Sequence, residues 1–472
     1  MAPSSTQYDL IVIGGGPGGY VAAIRAAQLG LKTLCVERER LGGICLNWGC
    51  IPTKALLRSS EVLELCRHAE EYGVKIEGTV SFDFASMMSR SRKVVDAQTK
   101  GIEFLFKKYG VEHLPGHARL AGGGQVVVTR DDRSEVTLAA TSILLATGAH
   151  AKTLPGIELD AESVIEYRGA LSLKKVPRSM IVIGSGAIGV EFASFYRSLG
   201  VEVTIVEFLD QIVPLEDDEV SDLLARSFKK RGMKLLTSHK VTSANKDGDG
   251  VLVVAQDRSD PTKVTELRAE LALMAVGIEA NVDGIGLDVA GVNVERGWVT
   301  IDDQTYATSA PGIYAIGDMT GPPALAHVGS AEGIACVERL AGHHATPINY
   351  DAIPACTFCH PEIGSIGLTE KAAKAAGVAV KIGRFPFRAS GKARAAGDME
   401  GFVKVLWAAD DGRLVGAHII GAGAPDLIAE YGLALSTEVN GASLMHTVHA
   451  HPTLAEALKE ATEDAYGQPI HT

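Results

Sequence analysis

No apolar stretch of this 472-residue chain reaches the roughly 18 residues of a membrane-crossing helix. Met1–Gln7 is short and polar, so neither an Arg-rich presequence nor a secretory signal is expected. Basic runs are missing too, and the formal net charge is −12, so the chain offers no matching surface to nucleic acid or an anionic membrane. An acidic surface would instead suit a basic docking partner. Cysteines number only seven, odd and widely spaced, which excludes a secreted disulfide framework and leads us to expect a cytoplasmic protein. No cluster of His, Cys, Asp and Glu has zinc spacing, so no metal is expected.

Hydrophobic residues make up 46% of the chain and charged residues 22%, enough apolar material for large cores. At about 150 residues per domain the length suits three domains. Glycine is abundant, with 52 residues, as several tight strand-to-helix turns would require. The first such turn is Gly14-Gly15-Gly16-Pro17-Gly18-Gly19, between an apolar run at Tyr8–Ile13 and a helical stretch at Tyr20–Leu29. A second strand, Leu31–Val36, ends in Glu37. The same unit recurs as Met180–Ile183, the loop Gly184-Ser185-Gly186-Ala187-Ile188-Gly189, helix Val190–Leu199 and strand Val201–Val206, ending in Glu207. In both copies the acid follows the first glycine by 23 positions. An isolated glycine loop is weak evidence, but two in the strand–loop–helix–strand–acid context predict two Rossmann-like dinucleotide-binding domains. The glycines would admit a pyrophosphate to a helix N-terminus, and Glu37 and Glu207 would accept from ribose hydroxyls. Phe208 and Leu209 follow Glu207 with no Arg or Lys beside them in sequence, so the second site is expected to prefer NAD over NADP.

Thr141–Gly148 reads as a buried strand ending in small residues, and Gly312–Asp318 is a similar segment after the second unit. Asp318 stands in a turn or faces the first cofactor. Beyond about residue 348 come shorter strands and a helical stretch, Pro425–Val439, an α+β pattern. The expected division is 1–150 and 280–347 for the first dinucleotide domain, 151–279 for the second, and 348–472 for the third. Cys356 and Cys359 lie in an apparent strand, Ile353–Cys359, where positions three apart face opposite sides, so they read as structural. Cys35, Cys66 and Cys336 read as core residues, and His449 is given no role.

Cys45 and Cys50 lie shortly after the first glycine loop, flanked by Gly42, Gly43 and Gly49 and followed by Pro52. On an ideal helix, positions five apart have Cα atoms about 8–9 Å apart, beyond disulfide reach. Pro52 cannot donate to the carbonyl of Trp48 and so distorts that turn. A disulfide formed there is strained and reducible, which is the catalytic kind. Exchange needs a thiolate, whereas a thiol of pKa near 8.5 is mostly protonated at neutral pH. A nearby histidine with a carboxylate behind it would supply the base and its orienter.

Taken in order, these features and the segment His449–Glu456 resemble the disulfide-reductase flavoenzymes, class I of the pyridine nucleotide-disulfide oxidoreductases. The match runs from about Tyr8 to about Glu460, and its most specific parts are Cys45–Leu57 and His449–Glu456. The resemblance implies FAD in the first site, NAD in the second, and a homodimer whose C-terminal domain builds the interface. It implies oxidation of dihydrolipoamide carried on lipoyl domains, as the shared flavoprotein of 2-oxoacid dehydrogenase or glycine-cleavage complexes. Cys50 would face the flavin and Cys45 the substrate, with His451 of the other subunit as acid–base and Glu456 orienting it. FAD would be held by Gly14, Gly16, Gly19, Glu37, Lys54, Gly116, Thr147, Gly148, Asp318, Ala326 and His327. NAD would be held by Gly184, Gly186, Ile188, Gly189, Glu191, Glu207 and Gly277, with Lys54 and Glu191 paired. Many members carry Arg-Arg-Pro where Ile278-Glu279-Ala280 stand, so nicotinamide affinity or its discrimination is expected to be unusual, and Ala324 in place of the commoner Met is a mild change next to the flavin. Rival reductases fit less well: a glutathione type would want basic residues after Glu207, a mercuric type extra cysteines near the C-terminus, and a soluble transhydrogenase would lack the first cysteine. A structural, docking-only flavoprotein would be free to lose Cys45, Cys50, His451 and Glu456, yet all four are present.

Overall fold

A computed structural model describes residues 7–471, so the remainder of the polar opening, residues 1–6, and Thr472 lie outside the described residues. The chain forms two compact units, one of residues 1–55, 85–152 and 277–348, the other of 56–84, 153–276 and 349–472. Both are mixed α/β. Among the described residues no helix is long and apolar enough to cross a membrane.

The first unit is built on a seven-stranded sheet. The strands Glu112–Pro115, Thr33–Glu37, Gln7–Ile13 and Glu135–Leu145 lie side by side in parallel, and Ile313–Ala315 adds to the last of them. Thr33–Val36 and Leu10–Val12 are almost wholly buried, as strands with helices on one face and a second layer on the other must be. Register matters most for function. Ile13 pairs with both Val36 and Leu145, so Gly14, Glu37 and Ala146 leave the sheet at one edge. Ligands of open parallel sheets bind at that carboxyl edge.

The second unit repeats the arrangement in a five-stranded parallel sheet, ordered Lys234–Leu236, Glu202–Val206, Ser179–Ile183, Leu271–Met274, Val164–Ile165. Ile183 pairs with Val206 and Met274, so Gly184, Glu207 and Ala275 emerge together. The same unit contains the C-terminal α+β part, an antiparallel sheet of Ala355–Thr357, Ile363–Gly367, Leu414–Ile420, Phe402–Ala408 and Val380–Pro386. Helices Ala424–Ser436 and Glu456–Ala465 cover it through a core that includes Phe385, Trp407, Ile419, Tyr431 and Leu458.

The strand expected at Ile353–Cys359 is only Ala355–Thr357. Its end is pulled out of the ladder because the Phe358 amide donates to Glu191 (2.9 Å) and the His360 amide to Ser194 Oγ (3.1 Å). Cys359 is fully buried and its thiol donates to the carbonyl of Pro361.

One polar row crosses this sheet: Ser365, His418, Lys404 and Arg384 are successive cross-strand neighbours. Lys404, 1% exposed, meets Asp217 at 2.9 Å and Glu219 and Glu370 at 2.7 Å. Asp217 caps helix Asp218–Lys230, so the ammonium joins that helix to the antiparallel sheet. Replacing Lys404 with Met strands the buried Asp217 carboxylate without a counter-ion, an expected loss of about 3–5 kcal/mol read from the urea midpoint. The bond from Arg384 holds the Glu219 carboxyl down at about 2, with Lys404 adding to it against the effect of burial. Its stabilising contribution is therefore complete above the ordinary 4.5 and is lost as pH falls through about 2.

Candidate functional site

Helix Pro17–Gln28 starts at Gly16 with neither a side-chain cap nor an acid in its first turn. Helix Ala187–Ser198 starts at Gly186 in the same state. Asp217, by contrast, caps helix Asp218–Lys230, whose first turn is acidic. Two bare N-termini, each behind a glycine loop, fit the pyrophosphate of a dinucleotide. The loops need their glycines: Gly14 has φ 106° and a Cβ there would overlap the carbonyl of Ala146, while one on Gly19 would overlap that of Gly14. Gly184 against Ala275, and Gly189 against Gly184, repeat both clashes.

The two acids do more than the sequence indicates. Glu37, buried, accepts from the Gly15 amide at 2.7 Å and the Glu39 amide at 2.8 Å. Glu207 accepts from the Ser185 amide (2.8 Å), the Ser185 hydroxyl (2.7 Å) and the Leu209 amide (2.8 Å). Each carboxylate thus fixes its loop's shape.

Around the first loop, the Thr147 hydroxyl donates to the Asn281 carbonyl at 2.9 Å, and the Asn281 side chain and amide donate back to Thr147 and Gly148. Gly116 spends its amide on the Glu37 carbonyl (2.9 Å), and a Cβ on it would press on Thr129 and Val128. Asp318 sits half-buried in the turn Gly317–Thr320, and burial, then Glu332, pushes its carboxyl up. Ala326 and His327 open helix Ala326–Leu340, which packs on Pro17–Gln28 so closely that a Cβ at Gly333 would stand 2.8 Å from the Gly18 carbonyl.

Cys45 rides on the short helix Gly43–Trp48, and Cys50 begins the next, Cys50–Arg67. The break falls at Gly49 (φ −137°, ψ −108°), which brings the two sulfurs together as no continuous helix would. Pro52 lies within the first turn of the new helix, where a missing amide costs nothing. The first helix is pinned to the nucleotide loop: the Gly42 amide donates to Gly15 at 2.7 Å, and Gly43 lies so close to Gly16 that a Cβ would stand 2.7 Å from its Cα. The two sulfurs lie within hydrogen-bond reach of one another, and the Cys45 thiol is pushed far above the usual thiol range. The hydrogen bond with Cys50 is the largest cause, then burial, while the Lys54 ammonium pulls the other way.

At the second loop, Ile188 is partly exposed and Glu191 is buried, accepting from Phe358 as described. Gly277 (φ 122°) accepts from the Lys152 amide and leads into Ile278–Ala280, paired with Ala149–Ala151. Glu279 in that strand lies 3.9 Å from Lys152 and 4.0 Å from His150. One cation escaped the sequence reading: Arg258, fifty positions on, lies with its guanidinium 4.0 Å from the ring centroid of Phe208.

His451 and Glu456 meet, Nδ1 to Oε1 at 2.8 Å, and the other carboxylate oxygen accepts from the Thr453 amide at 2.8 Å. Burial raises the Glu456 carboxyl, but the Thr453 and His451 bonds outweigh it and the net shift is down. His449, nearly buried, has both ring nitrogens engaged, with the Thr447 carbonyl and with Glu430 at 2.7 Å. Nothing in the spacing pointed to Glu430. Among the described residues no cluster suited to a metal ion occurs.

Two family models match the chain: pyridine nucleotide-disulphide oxidoreductase over residues 8–333, and the dimerisation domain of that family over 353–462. Similar proteins named dihydrolipoyl dehydrogenase include those of Rhizobium etli (46% identical, 98% of this chain and 99% of that protein) and Chlorobaculum tepidum (48%, 98% and 97%). A mitochondrial one from Dictyostelium discoideum is 44% identical over 99% of this chain and 96% of that protein. Among solved structures, LpdA from Mycobacterium tuberculosis superposes with a TM-score of 0.90 at 29% identity, covering 97% of this chain and 99% of that one.

Proposed function

The chain belongs to the pyridine nucleotide-disulphide oxidoreductase family, and on that premise we propose that it oxidises the dithiol of a dihydrolipoyl group and reduces NAD⁺. The observation that carries this reading is a cysteine pair in sulfur contact, its first member on a short helix fastened to the first glycine loop. FAD belongs in the first loop, with Gly14, Gly16, Gly19, Glu37, Gly116, Thr147, Gly148, Asp318, Ala326 and His327 around it and Lys54 near the sulfurs. NAD belongs in the second, with Gly184, Gly186, Ile188, Gly189, Glu191, Glu207 and Gly277. Bound there, the flavin supplies two-electron transfer between sulfur and nicotinamide.

The residues divide the remaining work. One substrate thiolate attacks the Cys45 sulfur of the oxidised pair, forming a mixed disulfide and releasing Cys50 as thiolate. His451 takes the proton of the second substrate thiol, which then attacks its partner sulfur, closes the ring and releases Cys45. Two electrons and the disulfide bond have exchanged places, and the proton rests on His451.

The dimerisation domain supports a homodimer in which His451 and Glu456 of one protomer serve the cysteines of its partner. Segments 1–150 and 280–347 would carry FAD, 151–279 NAD, and 348–472 the interface. The core of a 2-oxoacid dehydrogenase or glycine-cleavage complex is the natural partner, in a cytoplasmic setting. NADH formation from dihydrolipoamide by the purified protein, with NADP⁺ run in parallel, tests this reading. Fast turnover with NAD⁺ supports it; absence of turnover in protein that holds FAD would sink it and point to another disulfide.

A further inference from the structure

Strand Gly250–Asp257 folds back on His239–Asp247, and its end is carried to the ribose-marking acid of the second dinucleotide site. His239 pairs with Asp257, its amide donates to the Glu207 carbonyl at 2.9 Å, and the Ser238 amide donates to Leu209 at 2.7 Å. The Arg258 amide completes the chain by donating to Ser238 at 2.9 Å. Arg258 is thereby seated over Phe208, the residue next to Glu207. Its Nη1 donates to the Phe208 carbonyl at 3.0 Å, and the guanidinium lies on the ring at 4.0 Å from the centroid.

Two features make this cation more than a surface side chain. A guanidinium has five N–H donors, and among the described residues only one of them is taken. The acids of its own loop are occupied elsewhere, Asp257 by Ser259 and Asp260 by Thr262 and Lys263. The second loop therefore carries a carboxylate, which favours a ribose hydroxyl, and at the next residue a guanidinium stacked on the Phe208 ring, which favours a phosphate on the same ribose.

We propose that Arg258 reads the 2′ position of the adenosine ribose at the second dinucleotide site, admitting a 2′-phosphate that Glu207 opposes. The inference rests on the placing of NAD at Gly184–Glu207. It makes the preference for NAD over NADP a balance between two residues rather than an exclusion by one. NADP⁺ is then a weak substrate whose use depends on Arg258, and removing the guanidinium sharpens the preference for NAD⁺.

The test uses adenosine 2′,5′-bisphosphate and AMP as inhibitors of the full enzyme, each varied against NAD⁺, in the wild type, Arg258→Ala and Arg258→Lys. Losing a charge-assisted phosphate contact should weaken the bisphosphate about tenfold more than AMP in Arg258→Ala, with partial recovery in Arg258→Lys. The ratio of NADP⁺ to NAD⁺ kcat/KM should fall in step. Equal weakening of both inhibitors would make Arg258 a wall for the adenine and overturn the proposal, as would no change in either. Should AMP fail to compete with NAD⁺ in the wild type, the placing of the site itself falls, and Arg258 with it.

Discussion

Serine in place of Cys45 or Cys50 is expected to lower NADH formation from dihydrolipoamide by about 10⁴–10⁶-fold, the scale of losing a covalent nucleophile. A hydroxyl can neither form the mixed disulfide nor accept the electron pair, whereas the fold has little reason to notice. The pin between helix Gly43–Trp48 and the nucleotide loop is made by the Gly42 amide and Gly43, not by a sulfur. Each variant should therefore purify with unchanged bound-flavin absorbance. The two also differ in a way a merely structural role would not produce. On the proposed assignment Cys50→Ser keeps the substrate-facing thiol without its resolving partner, so treatment with oxidised lipoamide should leave a lipoyl adduct on Cys45, visible by mass. Cys45→Ser should give no such adduct. Turnover within tenfold of wild type in either variant would remove the pair from the reaction.

Both dinucleotide units are legible in the sequence because their physics is local. A strand, a glycine that must adopt positive φ, a helix start and an acid at fixed distance all follow from close approach of backbone to backbone. The structure meets those demands at Gly14 against Ala146 and at Gly184 against Ala275. The Cys45–Cys50 contact is legible for a related reason, since an unbroken helix forbids it, although the break falls at Gly49 rather than at the Pro52 turn. What stays hidden depends on distant chain. Arg258 reaches Phe208 only through the register of a hairpin, and Lys404 finds its three carboxylates only once a sheet row is laid against a helix start. The strand around Cys356 is shorter than its residues suggest because the amides of Phe358 and His360 at its end are claimed by Glu191 and Ser194, more than 150 positions away.

Replacement of His451 with Gln should lower dihydrolipoamide turnover by about 10²–10⁴-fold, the usual worth of a positioned general base. The structure distinguishes this histidine from its neighbour. His449 has both ring nitrogens committed, while His451 gives Nδ1 to Glu456 and leaves Nε2 outward on a side chain 78% exposed in the single chain. With Nδ1–H donated to the carboxylate, the neutral ring carries its lone pair on Nε2, the atom able to take a thiol proton. Such a solvated ring would normally turn freely. Glu456 prevents this, itself held by the Thr453 amide. Glu456→Gln keeps an acceptor for Nδ1–H but loses the charge that favours the imidazolium formed after proton transfer. Its loss should appear in kcat, be smaller than that of His451→Gln, and leave the KM for NAD⁺ unaltered. The pH dependence follows from the downward shift of Glu456. Its orienting charge is complete above the ordinary carboxylate range and disappears only as pH falls through the lowered value, so the dyad stays intact across neutral pH. A His451→Gln enzyme retaining more than a tenth of wild-type turnover would mean that the substrate thiol loses its proton elsewhere, and the exposed ring would revert to a surface residue.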